Sequence, residues 1–532
     1  MKNISARFAF VVATVMAGAM SMAWADSPPA KDSGSARPPN IIVILADDLG
    51  YGDIGCEGAT KVTTPNIDAL AAGGLRFTDG HCTASTCTPS RYSILTGQYS
   101  FRKKGAVILP GDARLLIDPK EPTLPAMLKS DGYATGFVGK WHLGLGDGQI
   151  DWNGTITPGP NDIGFDYCFF LPATPDRVPC VYIENHKIVN LTPGDPVSVS
   201  YTHKIGNEPT GFEHPELLRY PADAQHSGTI VDHISRIGWM EGGHSAWWTD
   251  EEMAGTFLGK AQDFVKQNKD TPFFLYYAPH NVHVPRAPNP RYLHTSECGI
   301  RGDSIEELDG VIGQFMDTLK QLNLLDNTIV IFSSDNGPIF NDGYRDGSVK
   351  EANGHKPAGP YRGGKYQIYE GGTRMPFIVS WPGKIAPGVS SALVNQLDLY
   401  ASLADLIGKP ELGKTRPDSM DVLPALLGKT TTARTVMVEQ SPARLALRDG
   451  SWKMVAAGKQ VKLHKLEEGD ITQGPPPPAA VQLYDLDTDP GETHNVATEH
   501  PDIVQKMSDE LKKEIGSDVP TFKDEKDTTE SK

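Results

Sequence analysis

Residues 41–48 read Ile41-Ile42-Val43-Ile44-Leu45-Ala46-Asp47-Asp48, an unbroken apolar run that stops at two carboxylates. A run of this length without alternation suits a strand buried on both faces, as in a parallel sheet. The same pattern recurs along the chain. Tyr133 to Val138 leads into Gly139-Lys140-Trp141-His142, and Phe273 to Ala278 into Pro279-His280-Asn281-Val282-His283. Thr328 to Phe332 leads into Ser333-Ser334-Asp335-Asn336-Gly337, and Met375 to Trp381 into Pro382-Gly383. Helical patterns lie between these runs. Pro65 to Ala72 is short and amphipathic, and Thr249 to Gln267 places Met253, Phe257, Ala261, Phe264 and Val265 on one face. Ser304 with Glu307 reads as a capping box that opens a helix carrying Ile305, Leu308, Val311, Ile312, Phe315, Leu319 and Leu322. Strand–helix alternation predicts an α/β domain with a mainly parallel sheet sandwiched by helices.

After about residue 395 the pattern changes. Arg444 to Leu447, the Asp449-Gly450 turn and Trp452 to Val455 read as a hairpin; Val481 to Leu486 reads as a strand, and Pro501 to Ile515 as a helix. This predicts a smaller antiparallel-sheet domain. The expected organisation is a signal peptide at 1–25, a linker at 26–38, a first domain at 39–395, a second at 396–516 with a loop at Gly474 to Pro478, and a polar tail at 517–532.

The leader assignment rests on Lys2 and Arg7, the apolar stretch Phe8 to Ala19, and the Ala23-Trp24-Ala25 cleavage pattern. It predicts a secreted or periplasmic protein without stable membrane insertion, because the apolar run is too short to span. With 39% hydrophobic and 22% charged residues, the 532-residue chain is neither fibrous, disordered nor membrane-embedded. The formal charge of −16 disfavours nucleic acid as a partner, while a local cationic pocket for a small anion stays compatible with it. Six cysteines in a chain this long do not make a disulfide scaffold, although an oxidising compartment permits Cys168 and Cys180 to pair.

In open parallel sheets, sites collect beyond the carboxyl ends of the strands. Four of the runs end there in Asp-Asp, Lys-x-His, His-x-x-His and Asp-Asn. Asp47, Asp48, Asp335 and Asn336 offer oxygen donors only, which select Ca²⁺ or, less readily, Mg²⁺ over zinc. Crowded carboxylates also call for a divalent cation. Cys87-Thr88-Pro89-Ser90-Arg91 places Cys87 at a helix N-terminus, where free N–H groups favour anions and Arg91 adds a planar cation. A low-pKa thiol or a buried structural cysteine is the plainer alternative for Cys87.

Taken together, IIVILADDLGYGD (41–53), CTPSRYSILTGQY (87–99), GFVGKWHLG (136–144), APHNVHVP (278–285), FSSDNG (332–337), GGKYQIYEGGTRMP (363–376) and LYDLDTDPGETHN (483–495) resemble the type I, formylglycine-dependent sulfatases, in that family's order. The resemblance implies an alkaline-phosphatase-like fold with a small C-terminal sheet domain. It also implies that a maturation enzyme oxidises Cys87 to Cα-formylglycine. One hydroxyl of the hydrated aldehyde would attack sulfur, and the other would expel sulfate from the sulfated enzyme. By the same resemblance Asp47, Asp48, Asp335, Asn336 and the modified Cys87 would bind calcium, and Arg91 would lower the cost of the oxyanion. Lys140 and Lys365 would bind sulfate, His142 would serve the second hydroxyl, and His283, with His280 as second choice, would protonate the leaving oxygen. The remaining histidines, His226 among them, read as structural, and Arg301-Gly302-Asp303 as a structural triplet just before a helix cap. Tyr201 to Trp248 reads as a polar, Trp-rich insertion that could line the substrate pocket. Within it, Ile234 to His244 with Trp247-Trp248 resembles a subgroup of bacterial carbohydrate sulfatases, some acting on 6-O-sulfated galactose or N-acetylgalactosamine. The competing expectations are a phosphodiesterase or phosphonate monoester hydrolase of the same superfamily, and an inactive extracellular calcium-binding or adhesion protein.

Overall fold

The structure, a computed structural model, describes residues 37–458, 470–472 and 478–516. The expected leader, most of the linker, the polar tail and nearly all of the Pro-rich loop lie outside the described residues. In chain order the principal strands are β1 (Asn40–Ala46), β2 (Ala134–Lys140), β3 (Tyr167–Leu171), β4 (Phe273–Ala278), β5 (Thr328–Ser334) and β6 (Phe377–Ser380). A second set follows: β7 (Val436–Ser441), β8 (Arg444–Asp449), β9 (Trp452–Val455) and β10 (Gln482–Asp485). β1 runs parallel to β4 on one side and to β5 on the other, with Ile41 opposite both Phe274 and Ile329. β2 and β3 continue the parallel set beyond β4, while β6 pairs antiparallel with β5. Short strands at both edges complete a ten-stranded sheet. Ile41, Ile42, Ile44 and Leu45 are all 0% exposed, so both faces of β1 are covered, as its lack of alternation predicts.

The principal helices are α1 (Pro65–Ala72), α2 (Cys87–Thr96), α3 (Met253–Asn268), α4 (Gly299–Gln321) and α5 (Pro501–Ile515). α4 packs on both α1 and α3, and α3 also packs on β2. The Phe257, Ala261, Phe264 and Val265 stripe of α3 is fully buried, each large side chain contributing about 1.5–3 kcal/mol relative to exposure. The last residues of β2 are fixed by Gly139, at φ +121°, where a Cβ would stand 1.9 Å from the Ala278 carbonyl oxygen. Only glycine tolerates that approach, and it brings Lys140 alongside the end of β4.

The second sheet is antiparallel in the order β7-β8-β9-β10, with Met507, Leu511 and Ile515 of α5 buried. It begins at Val436, whereas Leu399, Leu403 and Leu426 belong to the main core. It is also tied directly to the segment leading into α2. Ser85 N donates to Gln440 O (2.9 Å), and Gln440 N donates to Thr83 O (3.0 Å). A buried ion cluster completes the junction: Lys453 Nζ lies 2.9 Å from both Glu370 and Glu439, and Arg374 pairs with Glu370 (2.7 Å) and Asp79 (2.8 Å). Glu370 and Arg374 follow closely on Lys365, so the small sheet holds two active-region segments at once.

Several expectations need correction. α4 begins at Gly299, so Ser304 and Glu307 lie inside the helix rather than at its cap. Glu307 instead accepts from Asn281 Nδ2 (2.9 Å) and Asn289 N (3.0 Å). The Arg301-Gly302-Asp303 triplet is therefore helical and buried, with Arg301 forked onto Asp53 at 2.7 and 2.6 Å. This supports its structural reading. The Met375 to Trp381 run forms the antiparallel β6, and β3 and β7 escaped the reading altogether. Cys168 and Cys180 are both free and buried. No helix among the described residues is long and apolar enough to cross a membrane.

Candidate active site

The parallel strands deliver their polar ends to one rim. Asp47 and Asp48 follow β1, Lys140 ends β2, His280 and His283 follow β4, and Asp335 and Asn336 follow β5. Backbone bonds interlock these ends: Asp47 N donates to Asn281 O (2.9 Å), Val282 N to Asp47 O (2.5 Å) and Asp335 N to Ala46 O (3.1 Å). α2 begins with Thr86 as its N-cap and Cys87 as its first residue. Cys87 Sγ, one ring nitrogen of His283 and carboxylate oxygens of Asp47 and Asp48 all lie within 4.8 Å of one another. The structure thus unites residue 87 with the carboxylates from strands far away in sequence.

Charge is densely compensated there. Arg91 Nε and Nη2 hold Asp335 Oδ2 at 2.9 and 2.8 Å, and Arg91 Nη1 donates to Lys140 O at 2.9 Å. Lys140 Nζ is 2.7 Å from both Asp47 oxygens. Lys365 Nζ donates to Asp48 Oδ2 at 2.8 Å. Burial, with Asp335 and Asp48 adding to it against Lys140 and Arg91, pushes the Asp47 carboxyl up. Burial also raises Asp48, but Lys365 and Lys140 outweigh it and hold Asp48 down. Asp47, Asp48, Asp335 and Asn336 are at most 1% exposed, and the Asn336 side-chain oxygen is buried without a hydrogen-bond partner. An unused acceptor beside three carboxylates, all oxygen donors, fits a hard divalent cation.

Burial pushes the Cys87 thiol up to about 11 despite Lys140 and Lys365, which favours the protonated thiol over a thiolate at the helix N-terminus. His283 Nδ1 sits 2.6 Å from Val284 O, and its Nε2 sits 3.1 Å from Lys365 Nζ. That network assigns the proton to Nδ1 and leaves Nε2 facing the cluster. His280 is outside that 4.8 Å cluster, its ring 6.1 Å from that of Phe257, and burial with Lys140 lowers it to about 3. Between the two candidate histidines, only His283 joins the carboxylates. His142 places Nε2 2.9 Å from Leu109 O, leaving Nδ1 without a partner. Burial, Lys140 and Arg177 hold it well below its usual value. Asp48, His142 and Tyr366 adopt φ of +57°, +57° and +73°, a strained conformation that clusters at functional sites.

The sequence reading missed Asp176, Arg177, Asp342 and Tyr366. Asp176 and Arg177 follow β3, so the rule that found the other strand ends would have found them had β3 been recognised. His226, read as structural, bridges Asp223 (2.7 Å) and Asp176 (3.3 Å). Burial lowers it, but the two aspartates outweigh burial and carry it up to about 9. A raised folded value stabilises below the ordinary 6.5 and is lost as pH climbs through 9. Denaturant unfolding of His226→Gln is therefore expected to show a deficit of about 3 kcal/mol at pH 6 that closes above pH 9; a pH-independent deficit contradicts the charged bridge.

A family model described as Sulfatase matches residues 39–409. The chain is 49% identical over 484 residues to a Bacteroides thetaiotaomicron N-acetylgalactosamine-6-O-sulfatase, covering 90% of this chain and 94% of that protein. It is 35% identical to human arylsulfatase A, covering 89% and 87%. A solved Bacteroides thetaiotaomicron structure, described under the metabolism of multiple glycosaminoglycans, superposes with a TM-score of 0.86 at 49% identity, covering 90% of this chain and 99% of that one. The main sheet with its small C-terminal sheet is thus the alkaline-phosphatase-like fold of sulfatases. With the converging strand ends and this match over most of its length, the chain belongs to the type I sulfatase family and is a sulfuric ester hydrolase.

Proposed function

We propose that this protein removes 6-O-sulfate from galactose-type sugars, N-acetylgalactosamine in particular, using a formylglycine formed from Cys87 and a bound calcium ion. The observation that carries the substrate is the 49% identity to an N-acetylgalactosamine-6-O-sulfatase across nine-tenths of both chains. The leader-like residues 1–25 support export, and with it a sulfated carbohydrate outside the cytoplasm and a maturation enzyme as partners.

Asp47, Asp48, Asp335 and Asn336 would hold the cation, which supplies Lewis acidity toward a sulfate oxygen. The formylglycine hydrate supplies two hydroxyls on one carbon, one to attack sulfur and one to eliminate sulfate. The remaining steps belong to the chain's own side chains. Arg91 fixes Asp335 and the end of β2, and so the relative placement of Asp335 and Lys140. The Lys140 and Lys365 ammonium groups offset charge on the sulfate oxygens as the ester bond breaks. His142 Nδ1 is the free acceptor for the proton of the second hydroxyl. Burial, Lys365 and Lys140 hold His283 well below its usual value. A sulfate ester arriving between the lysines offsets that field, so that Nε2 can take a proton from solvent and pass it to the leaving oxygen as the ester bond breaks.

Matured protein offered a panel of position-defined sulfated sugars is expected to release sulfate from 6-O-sulfated N-acetylgalactosamine at least about 100-fold faster, in kcat/KM, than from the 4-O-sulfated isomer. Equal rates on both isomers contradict the regiochemistry. Faster turnover of the matching phosphate ester contradicts the sulfate assignment.

A further inference from the structure

We propose that Asp342, braced by Tyr366, is a positioning residue that fixes the Lys365 ammonium over the reacting sulfate. The inference deepens the reading of Lys365 as a sulfate-binding cation and rests on it. A lysine ammonium has three protons, and here each has its own acceptor: Asp48 Oδ2 at 2.8 Å, Asp342 Oδ2 at 2.9 Å and His283 Nε2 at 3.1 Å. Without Asp342, the flexible four-carbon stem has a single carboxylate to follow, Asp48. The ammonium then falls toward the cation-binding oxygens and competes for them. A second carboxylate, from a different loop, holds the ammonium between Asp48 and His283.

Asp342 is itself fixed. It is 5% exposed, and the Tyr366 hydroxyl donates to it, 3.0 Å from Oδ1 and 3.1 Å from Oδ2. Its loop is pinned on both sides. Arg286 donates to Ile339 O and Phe340 O at 2.8 Å each, and Asp223 N donates to Gly343 O at 2.9 Å. Tyr366 adopts φ +73°, unusual for a bulky residue. In that conformation its N–H donates to Ser85 O at 2.8 Å, two residues before Cys87, and its phenol reaches Asp342. One strained residue therefore links the nucleophile's segment to the lysine's carboxylate. The resemblance that named Lys365 gave no role to Asp342 or Tyr366.

The test is a double-mutant cycle on matured enzyme, with kcat and KM read on an aryl sulfate and on the 6-O-sulfated sugar. Asp342→Asn is expected to lower kcat about 10- to 100-fold with little change in KM, and Tyr366→Phe to lower it several-fold. In a Lys365→Met background both losses are expected to shrink to within about 3-fold, because they act through the lysine. Losses that multiply undiminished in that background overturn the proposal, as does a full rate for both single variants. A full rate for Lys365→Met overturns instead the reading of Lys365. If Asp342→Asn fails to fold, Tyr366→Phe, which removes one hydroxyl, decides the cycle alone.

Discussion

The Cys87→Ser protein is expected to fold normally and to turn over no sulfate ester. Residue 87 is the first residue of α2, is 1% exposed, and shares a 4.8 Å cluster with Asp47, Asp48 and His283. Serine fits that position without a cavity and offers one hydroxyl on its carbon. An attack through it leaves a sulfate ester with no second oxygen to expel sulfate, so catalysis stops after one event per molecule at most. The loss of steady-state rate is on the order of 10⁴-fold or more, as for nucleophile removal elsewhere. Sulfate release, with intact mass to detect a stalled adduct, checks it. Turnover near the parental rate shows that residue 87 is not the nucleophile.

Arg91→Ala is expected to damage both rate and stability. Its guanidinium is 1% exposed and holds Asp335 through two nitrogens and the Lys140 carbonyl through a third. Removing it leaves Asp335 and Asp47 buried with one compensating cation fewer, at a cost of about 3–5 kcal/mol. The rate should fall on the order of 10³-fold, since Asp335 and the end of β2 lose their common anchor. Arg91→Lys should recover part of the stability and little of the rate, because an ammonium cannot make the fork. Denaturant midpoints and kcat, measured on the same preparations, check both halves. An Arg91→Ala protein as stable and active as the parent contradicts the anchoring role.

Much of this arrangement is legible where local sequence dictates it. Ile41 to Leu45 can hardly be anything but a doubly buried strand, and Asp47 and Asp48 must then emerge at its end. Pro89 and the residues after Cys87 set α2, and Gly97 at φ +63° ends it. What stayed hidden depends on contacts between distant segments. Ser304 and Glu307 have the spacing of a cap, yet Glu307 is occupied by Asn281 and Asn289, and α4 starts earlier, after Cys298, with no capping signal. β3, Tyr-Cys-Phe-Phe-Leu, is short and sits between polar loops, so Asp176 and Arg177 went unread. Asp342 lies in Asn-Asp-Gly, which reads locally as a turn, and only the fold carries it to Lys365. His280 and His283 cannot be separated by spacing. The backbone between β4 and Pro285 points one at Phe257 and the other at the carboxylates.

The central claim is that a converted residue 87, not a thiol, performs the reaction within the carboxylate and lysine cradle. Its most direct measurement is mass spectrometry of the peptide carrying residue 87, made on batches matured to different extents and set against kcat of the same batches. Turnover is expected to rise in proportion to the aldehyde fraction and to vanish where the thiol is intact. Full turnover in a batch whose Cys87 is wholly unmodified contradicts it.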